Sequence, residues 1–349
     1  MGPRTVYGAR VKATDKSGLA GERGERGERG ERGERGERGE RGLKSEALKQ
    51  ALTAALAGHP DNLETLLARH GGMPAPRPNL ELAAAFGSEL ASVRGEILPL
   101  LERLTRVDAA PDTAEIFLPI AAAHAWVALI RTRRELEAAW AALPLLLADE
   151  RAPVRFGIRD ALVQLLGQPG QSDRLVERAQ GWLADIADRD ERFGVAALVA
   201  EVLADKTVLA NLVDDAALRA YLSGVLDDAS AAPRTASRMD SYRRVLAALP
   251  RALAAAVAHG SAATGRGAGT GGGDTAESWL AGACAVATHP PVRDALSEAI
   301  AQLRLPAHGQ SAGVVTALRR ALEKSAKPPR DPTLIRPGLG RGKRSRPIR

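Results

Sequence analysis

Residues 136–167, "LEAAWAALPLLLADERAPVRFGIRDALVQLLG", decide how this chain is read. An apolar helical run closes near Asp149. A short polar turn comes next, and Pro153 stands where a second helix opens, because proline in the first helical turn gives up an N–H that has no partner there anyway. In that second helix Val154, Ile158, Ala161, Leu162, Leu165 and Leu166 recur at i, i+4, i+7, i+8, i+11 and i+12, one face of a 3.6-residue period. Arg155 and Arg159 fall on the other side. The stretch predicts a helical hairpin with an apolar stripe that must be covered by something else.

The same plan returns at 277–303, "ESWLAGACAVATHPPVRDALSEAIAQL", where Pro291 opens the second helix and Val292, Ala295, Leu296, Ala299, Ile300 and Leu303 form the stripe. A looser copy runs over 175–205, "LVERAQGWLADIADRDERFGVAALVAEVLAD". Arg155, Arg192 and Arg293 take corresponding places near the start of the second helix. They are 37 and 101 residues apart, one step and about three steps of a helix-hairpin repeat.

On "ADERAPVRFGIRDALVQLL" and "THPPVRDALSEAIAQL" the chain resembles HEAT repeats, best over 133–205 and 275–305. The resemblance implies an all-α fold, an α-solenoid of stacked helix hairpins in which each pair covers its neighbour's stripe. It also implies a structural ladder in which a turn Asp meets the Arg of the second helix: Asp149 with Arg155, Asp190 with Arg192. Arg293 is the third such arginine, with His289 where its acid would stand. Composition agrees with helices. Apolar residues make up 45% of the 349 and aromatic residues 3%, so the core must be built from Ala, Leu and Val, which suit close-packed helices better than sheets.

Other punctuation refines the plan. "DNLETLLARHGG" starts a helix with Asp61 as N-cap and stops it at Gly71-Gly72. Ser45 and Glu46 open the helix before it. Gly87, Gly95 and Pro99 are expected to break the long segment 79–107. "GSAATGRGAGTGGGD", 260–274, reads as a flexible loop within a helical domain spanning 43–326. On either side lie tails expected to be disordered. Residues 1–42 hold seven Gly-Glu-Arg triplets, which lack the proline and length of a collagen helix and have nothing apolar to bury. The perfect repetition also fits expansion of a nine-base DNA unit, with translation beginning downstream as the alternative. Residues 327–349 are a Pro-, Gly- and Arg-rich basic tail.

The net charge of +7 belongs to these tails: residues 327–349 carry +7 and 1–20 carry +3, the triplets sum to zero, and 43–326 carries −3. Three clusters offer contacts to an anionic partner: Arg131, Arg133 and Arg134; Arg238, Arg243 and Arg244; and Arg341, Lys343, Arg344 and Arg346 in the tail.

Motifs for chemistry are weak. "GAGTGG", 267–272, matches a dinucleotide-loop pattern, but an Ala-rich helix precedes it where a strand is required. No HExxH pattern occurs. The six histidines do not adopt metal-ligand spacing. Cys284 reads as a small buried hydrophobe. Some HEAT-like proteins are alkylpurine DNA glycosylases that hold a base with Trp and Asp; Trp182 and Asp185 form the nearest such pair here. The sequence therefore predicts a non-catalytic scaffold that binds another protein, with no metal, no cofactor and no membrane span, in the cytoplasm. Nucleic-acid binding through the basic tail and Arg clusters is the alternative.

Overall fold

The structure is a computed structural model that describes residues 46–75, 77–264, 275–305 and 311–325. The chain divides into two units, Met1–Ala47 and Leu48–Arg349. Only residues 46 and 47 of the first are described, and the helical core belongs to the second. The triplet run, the basic tail with Arg341, Lys343, Arg344 and Arg346, and the "GAGTGG" motif lie outside the described residues.

Every regular element among the described residues is helical, so the fold is all-α. The first helix, α1, covers 46–56. After it come α2 (Asp61–His70), α3 (Leu80–Ser92), α4 (Leu98–Thr105), α5 (Phe117–Thr132), α6 (Leu136–Leu147) and α7 (Ala152–Leu166). The middle of the chain forms α8 (Gln171–Asp185), α9 (Arg189–Leu203), α10 (Lys206–Ala210), α11 (Asp215–Ser230) and α12 (Asp240–Thr264). The series closes with α13 (Ala276–Val286), α14 (Pro290–Gln302) and α15 (Ala312–Lys324).

The deciding stretch is the hairpin α6–α7. Pro153 sits in the first turn of α7, and all six stripe residues, Val154 to Leu166, are buried. The stripe of α14, Val292 to Leu303, is buried likewise. Burying each such Leu, Ile or Val contributes about 1.5–3 kcal/mol. The stripes meet one another along a row in which α3 packs on α5, α5 on α7, α7 on α9, α9 on α12 and α12 on α14. Beside it α8 packs on α11 and α13 on α15.

Helix α5 is buried around its whole circumference from Phe117 to Ile130, because α2, α3, α4, α6 and α7 all lie against it. An all-round apolar helix is stable in water only when so enclosed. Among the described residues, Ala114–Thr132 is the one helical stretch long and apolar enough to cross a membrane by length and composition, and 83% of its apolar window is buried inside the protein. The indole of Trp126 finds its partner within this core: Nε1 donates to Thr105 Oγ1 at 2.9 Å, and that hydroxyl donates to the Leu101 carbonyl at 2.7 Å.

The structure departs from the sequence expectations at three places. Gly87 does not break its segment; it lies inside α3, where a Cβ would stand 2.7 Å from the His124 carbonyl oxygen of α5. The glycine serves helix-to-helix approach, and the breaks fall at Gly95, whose φ is +137°, and at Pro99 in the first turn of α4. Asp61 is the first residue of α2 rather than its N-cap, and with Glu64 it pairs with Arg103 of α4, the Glu64 contact at 2.5 Å. Residues 260–264 belong to α12 rather than to a loop, while 265–274 lie outside the described residues; at Gly260 a Cβ would stand 2.8 Å from the Ala276 side chain of α13. Elsewhere Asp188, Asp205 and Asp214 are genuine caps, accepting from the backbone N–H groups of Glu191, Thr207 and Ala217.

Replacing Gly87 by alanine separates propensity from packing. Alanine favours a helix interior by about 1 kcal/mol over glycine, yet overpacking α3 against the α5 backbone costs about 1–3 kcal/mol. Gly87→Ala is expected to lower the urea midpoint of unfolding; an unchanged or higher midpoint means that α3 and α5 are not in backbone contact.

Candidate functional site

The arginines singled out by spacing have a common job. Arg155, Arg192 and Arg293 each donate from Nη1 to the carbonyl six residues earlier: Asp149 at 3.1 Å, Ile186 at 2.8 Å and Ala287 at 3.1 Å. Those carbonyls belong to the ends of α6, α8 and α13, where helical C=O groups have no partner in the helix. Arg192 continues to the next hairpin, forking onto both oxygens of Asp228 in α11 at 2.8 and 2.9 Å. Arg293 continues to Ser325 at the end of α15. The acids expected beside them are otherwise engaged. The Asp149 carboxylate receives Arg151 at 2.6 Å, and Asp190 accepts from Ser241. His289 lies 3.4 Å from the Tyr242 hydroxyl.

The Arg clusters do not converge. Arg134 is spent on the carbonyls of Ala91, Val93 and Gly95, closing the end of α3. Arg133 is the left-handed residue that ends α5, and Arg131 is exposed on the last turn. Arg238 is exposed, and Arg243 and Arg244 both turn to Asp240, at 3.3 and 3.5 Å. Arg244 lines an acidic cavity of about 510 Å³ with Glu150, Asp188, Asp190, Glu191 and Asp240. Trp182 commits its ring to Trp140, with centroids 6.2 Å apart, while Arg178 lies over Trp140 and Asp185 faces solvent.

A concavity larger than that acidic one lies elsewhere. It has a volume of about 770 Å³ and is walled by α10, the loop after it, α12 and the residues that end α14. Leu209, Leu212, Ala255 and Ala258 supply apolar lining, Lys206 and Arg251 stand on its walls, and Val213 and Leu305 mark its mouth. The loop is fixed from below. Asp173 of α8 accepts from the backbone N–H groups of Val213 at 3.0 Å and Asp214 at 2.8 Å, and Asn211 donates to the Leu166 carbonyl at 3.3 Å. The Val213 backbone is thereby pinned while its side chain stays 83% exposed; Leu305 is 53% exposed.

The charges around this groove are unequal in their commitments. Asp205 and Asp214 cap α10 and α11, and Asp215 receives His259 at 3.2 Å. Burial pushes the Asp205 carboxyl up, but the Thr207 hydrogen bonds and the charges of Arg159 and Arg251 outweigh it and hold the group below the usual carboxylate range. Lys206 and Arg251 are exposed, and neither has an ion pair within 4.0 Å among the described residues. The His259–Asp215 pair has the form of a proton-transfer dyad, but no residue lining the groove carries a hydroxyl or thiol to activate. The arrangement can bind an apolar group and an anion together. Lys206, Arg251 and Leu305 were not marked by the sequence; the one available signal was an apolar Val213 set between the end of one helix and the acidic cap of the next.

A second polar feature lies in the core. The His124 ring is 4% exposed, its Nε2 has no hydrogen-bond partner, and Asp160 Oδ2 is 3.9 Å away, beyond hydrogen-bond reach. Burial lowers the His124 pKa to about 4 and raises that of Asp160. The ring is neutral at pH 7. The space beside it is a cavity of about 30 Å³ lined also by Arg131 and Gln164, the size of a water molecule and too small for a substrate.

Comparison with family models, curated proteins and solved structures gives no match.

His124 makes acid sensitivity a test of the core. Between the unfolded value of 6.5 and the folded value of about 4, the unfolded chain takes up a proton that the folded chain refuses, so stability falls as pH falls through that window. The raised Asp160 works in the opposite direction. Comparison with His124→Gln isolates the histidine: from pH 7 to 4.5 the wild type is expected to lose about 2 kcal/mol more than the variant in urea unfolding. Parallel pH profiles would mean that the ring is solvated.

Proposed function

We propose that this chain is a binding scaffold: a HEAT-like stack of helix hairpins that presents a groove for a segment of another protein. The observation that carries the reading is Val213. Exposed apolar side chains scattered singly are ordinary. Here the backbone beneath the exposed valine is held through the hydrogen bonds that Asp173 accepts, and the side chain stands at the mouth of an apolar groove with a second exposed apolar residue, Leu305. A rigid loop that offers apolar surface to water suits docking better than chain closure. The arginine links between hairpins support the stacked arrangement, since each fixes one pair and two of them reach the next. Binding by a preformed groove needs little rearrangement, and the groove volume lies in the range that accommodates a few large side chains.

The test is affinity capture with the full chain and with Val213→Asp/Leu305→Asp, both positions being exposed and tolerant of charge. The variant is expected to keep its helical circular-dichroism signal and melting temperature and to lose at least tenfold of the captured partner. Equal capture by both proteins removes the groove from the function.

A further inference from the structure

We infer that the segment this groove receives is acidic: a short stretch of a partner protein that carries large apolar side chains together with two or more carboxylates. The inference rests on the scaffold reading and adds the chemistry of the partner. It comes from which charges around the groove are free. The acids there have partners within the fold. Asp205 caps α10, Asp214 caps α11, and Asp215 faces His259 at 3.2 Å. The two cations, Lys206 and Arg251, have no ion pair within 4.0 Å among the described residues and stand on the walls of the groove that Leu209 and Leu212 line.

An occupant covering those walls takes both cations partly out of water. A neutral segment would leave them desolvated and unpaired, which costs free energy. A basic segment would add like-charge repulsion. An acidic segment supplies the missing partners at close range. The apolar requirement comes from the other half of the lining. Val213 and Leu305 reach beyond the cavity at 83% and 53% exposure, so an occupant that covers them extends past the groove mouth, as a polypeptide does and a small ligand does not. The pattern is one of apolar anchors seated in pockets with flanking charges that set register and orientation.

The experiment selects the partner's chemistry without assuming its name. A displayed library of random 12-residue peptides is panned on the full chain, and selected peptides are measured against the wild type, Val213→Asp/Leu305→Asp and Lys206→Glu/Arg251→Glu. The expected result is a set of peptides that bind the wild type at least tenfold tighter than either double variant, enriched in Asp, Glu and large apolar residues, and weakened several-fold between about 50 and about 300 mM salt. Groove-dependent peptides that are neutral or basic, or that bind the charge-reversed variant equally well, overturn the acidic partner while leaving the scaffold standing. If no selected peptide depends on Val213 and Leu305, both readings fall. Light scattering covers the remaining occupant: a dimer that Val213→Asp dissolves would make a second copy the partner and overturn the inference.

Discussion

One interaction organises this molecule: the arginine in the first turn of a hairpin's second helix reaching back to the carbonyl six residues before it. Three hairpins use it, through Arg155, Arg192 and Arg293. A helix that ends inside a compact fold leaves carbonyls without partners, and an unpaired buried carbonyl costs about 1–3 kcal/mol. A guanidinium has donors enough to satisfy that carbonyl and still hold a neighbour. Arg192 does both, forking onto Asp228 with only 17% of its side chain exposed. The staple fixes the angle between the two helices of a pair, and the fork fixes one pair to the next. The loop behind α10 depends on the pairs keeping their places, because Asp173 of α8 and the Leu166 carbonyl of α7 are what hold it.

Between the staples, cohesion comes from small side chains. A chain with 3% aromatic residues fills its core by bringing backbones together. Gly87 admits the α5 backbone to α3, and Gly194 of α9 faces Ala148 so closely that a Cβ would stand 2.9 Å from its Cα. Few large rings are needed when helices approach this near, and several of those present sit at joints: Trp126 on Thr105, Trp140 against Trp182, and Phe193 against Tyr242 at 5.1 Å. The same tight packing leaves His124 without room for a hydrogen-bond partner larger than water.

The sequence made the helices and their inward faces legible, because periodicity is local: the stripes of α7 and α14 can be drawn residue by residue from their spacing. It also marked the three arginines, since recurrence at a fixed place in a hairpin is visible along the chain. Their partners are not visible there. Arg192 meets Asp228, 36 residues away, and nothing near either residue names the other. The HEAT resemblance assigns the Asp149 carboxylate to Arg155, but Asp149 offers Arg155 its carbonyl and gives the carboxylate to Arg151, a nearer neighbour in the turn. Gly87 and Gly260 read as breaks because a glycine that permits close approach looks, in sequence, like a glycine that ends a helix. The groove is hidden for the same reason as the arginine partners: Lys206, Val213, Arg251 and Leu305 come from four separate places, and only the docking of α10, α12 and α14 gathers them.

If geometry and not charge alone makes the staple, lysine must fail where arginine succeeds, because one ammonium cannot hold the Ile186 carbonyl and fork both oxygens of Asp228. Urea unfolding of Arg192→Lys, Asp228→Asn and the double variant measures this most directly. The account predicts that Arg192→Lys lowers stability by about 1–2 kcal/mol at unchanged charge and that the two substitutions are non-additive by about 1 kcal/mol or more. A lysine variant as stable as the wild type, with additive effects, would contradict it.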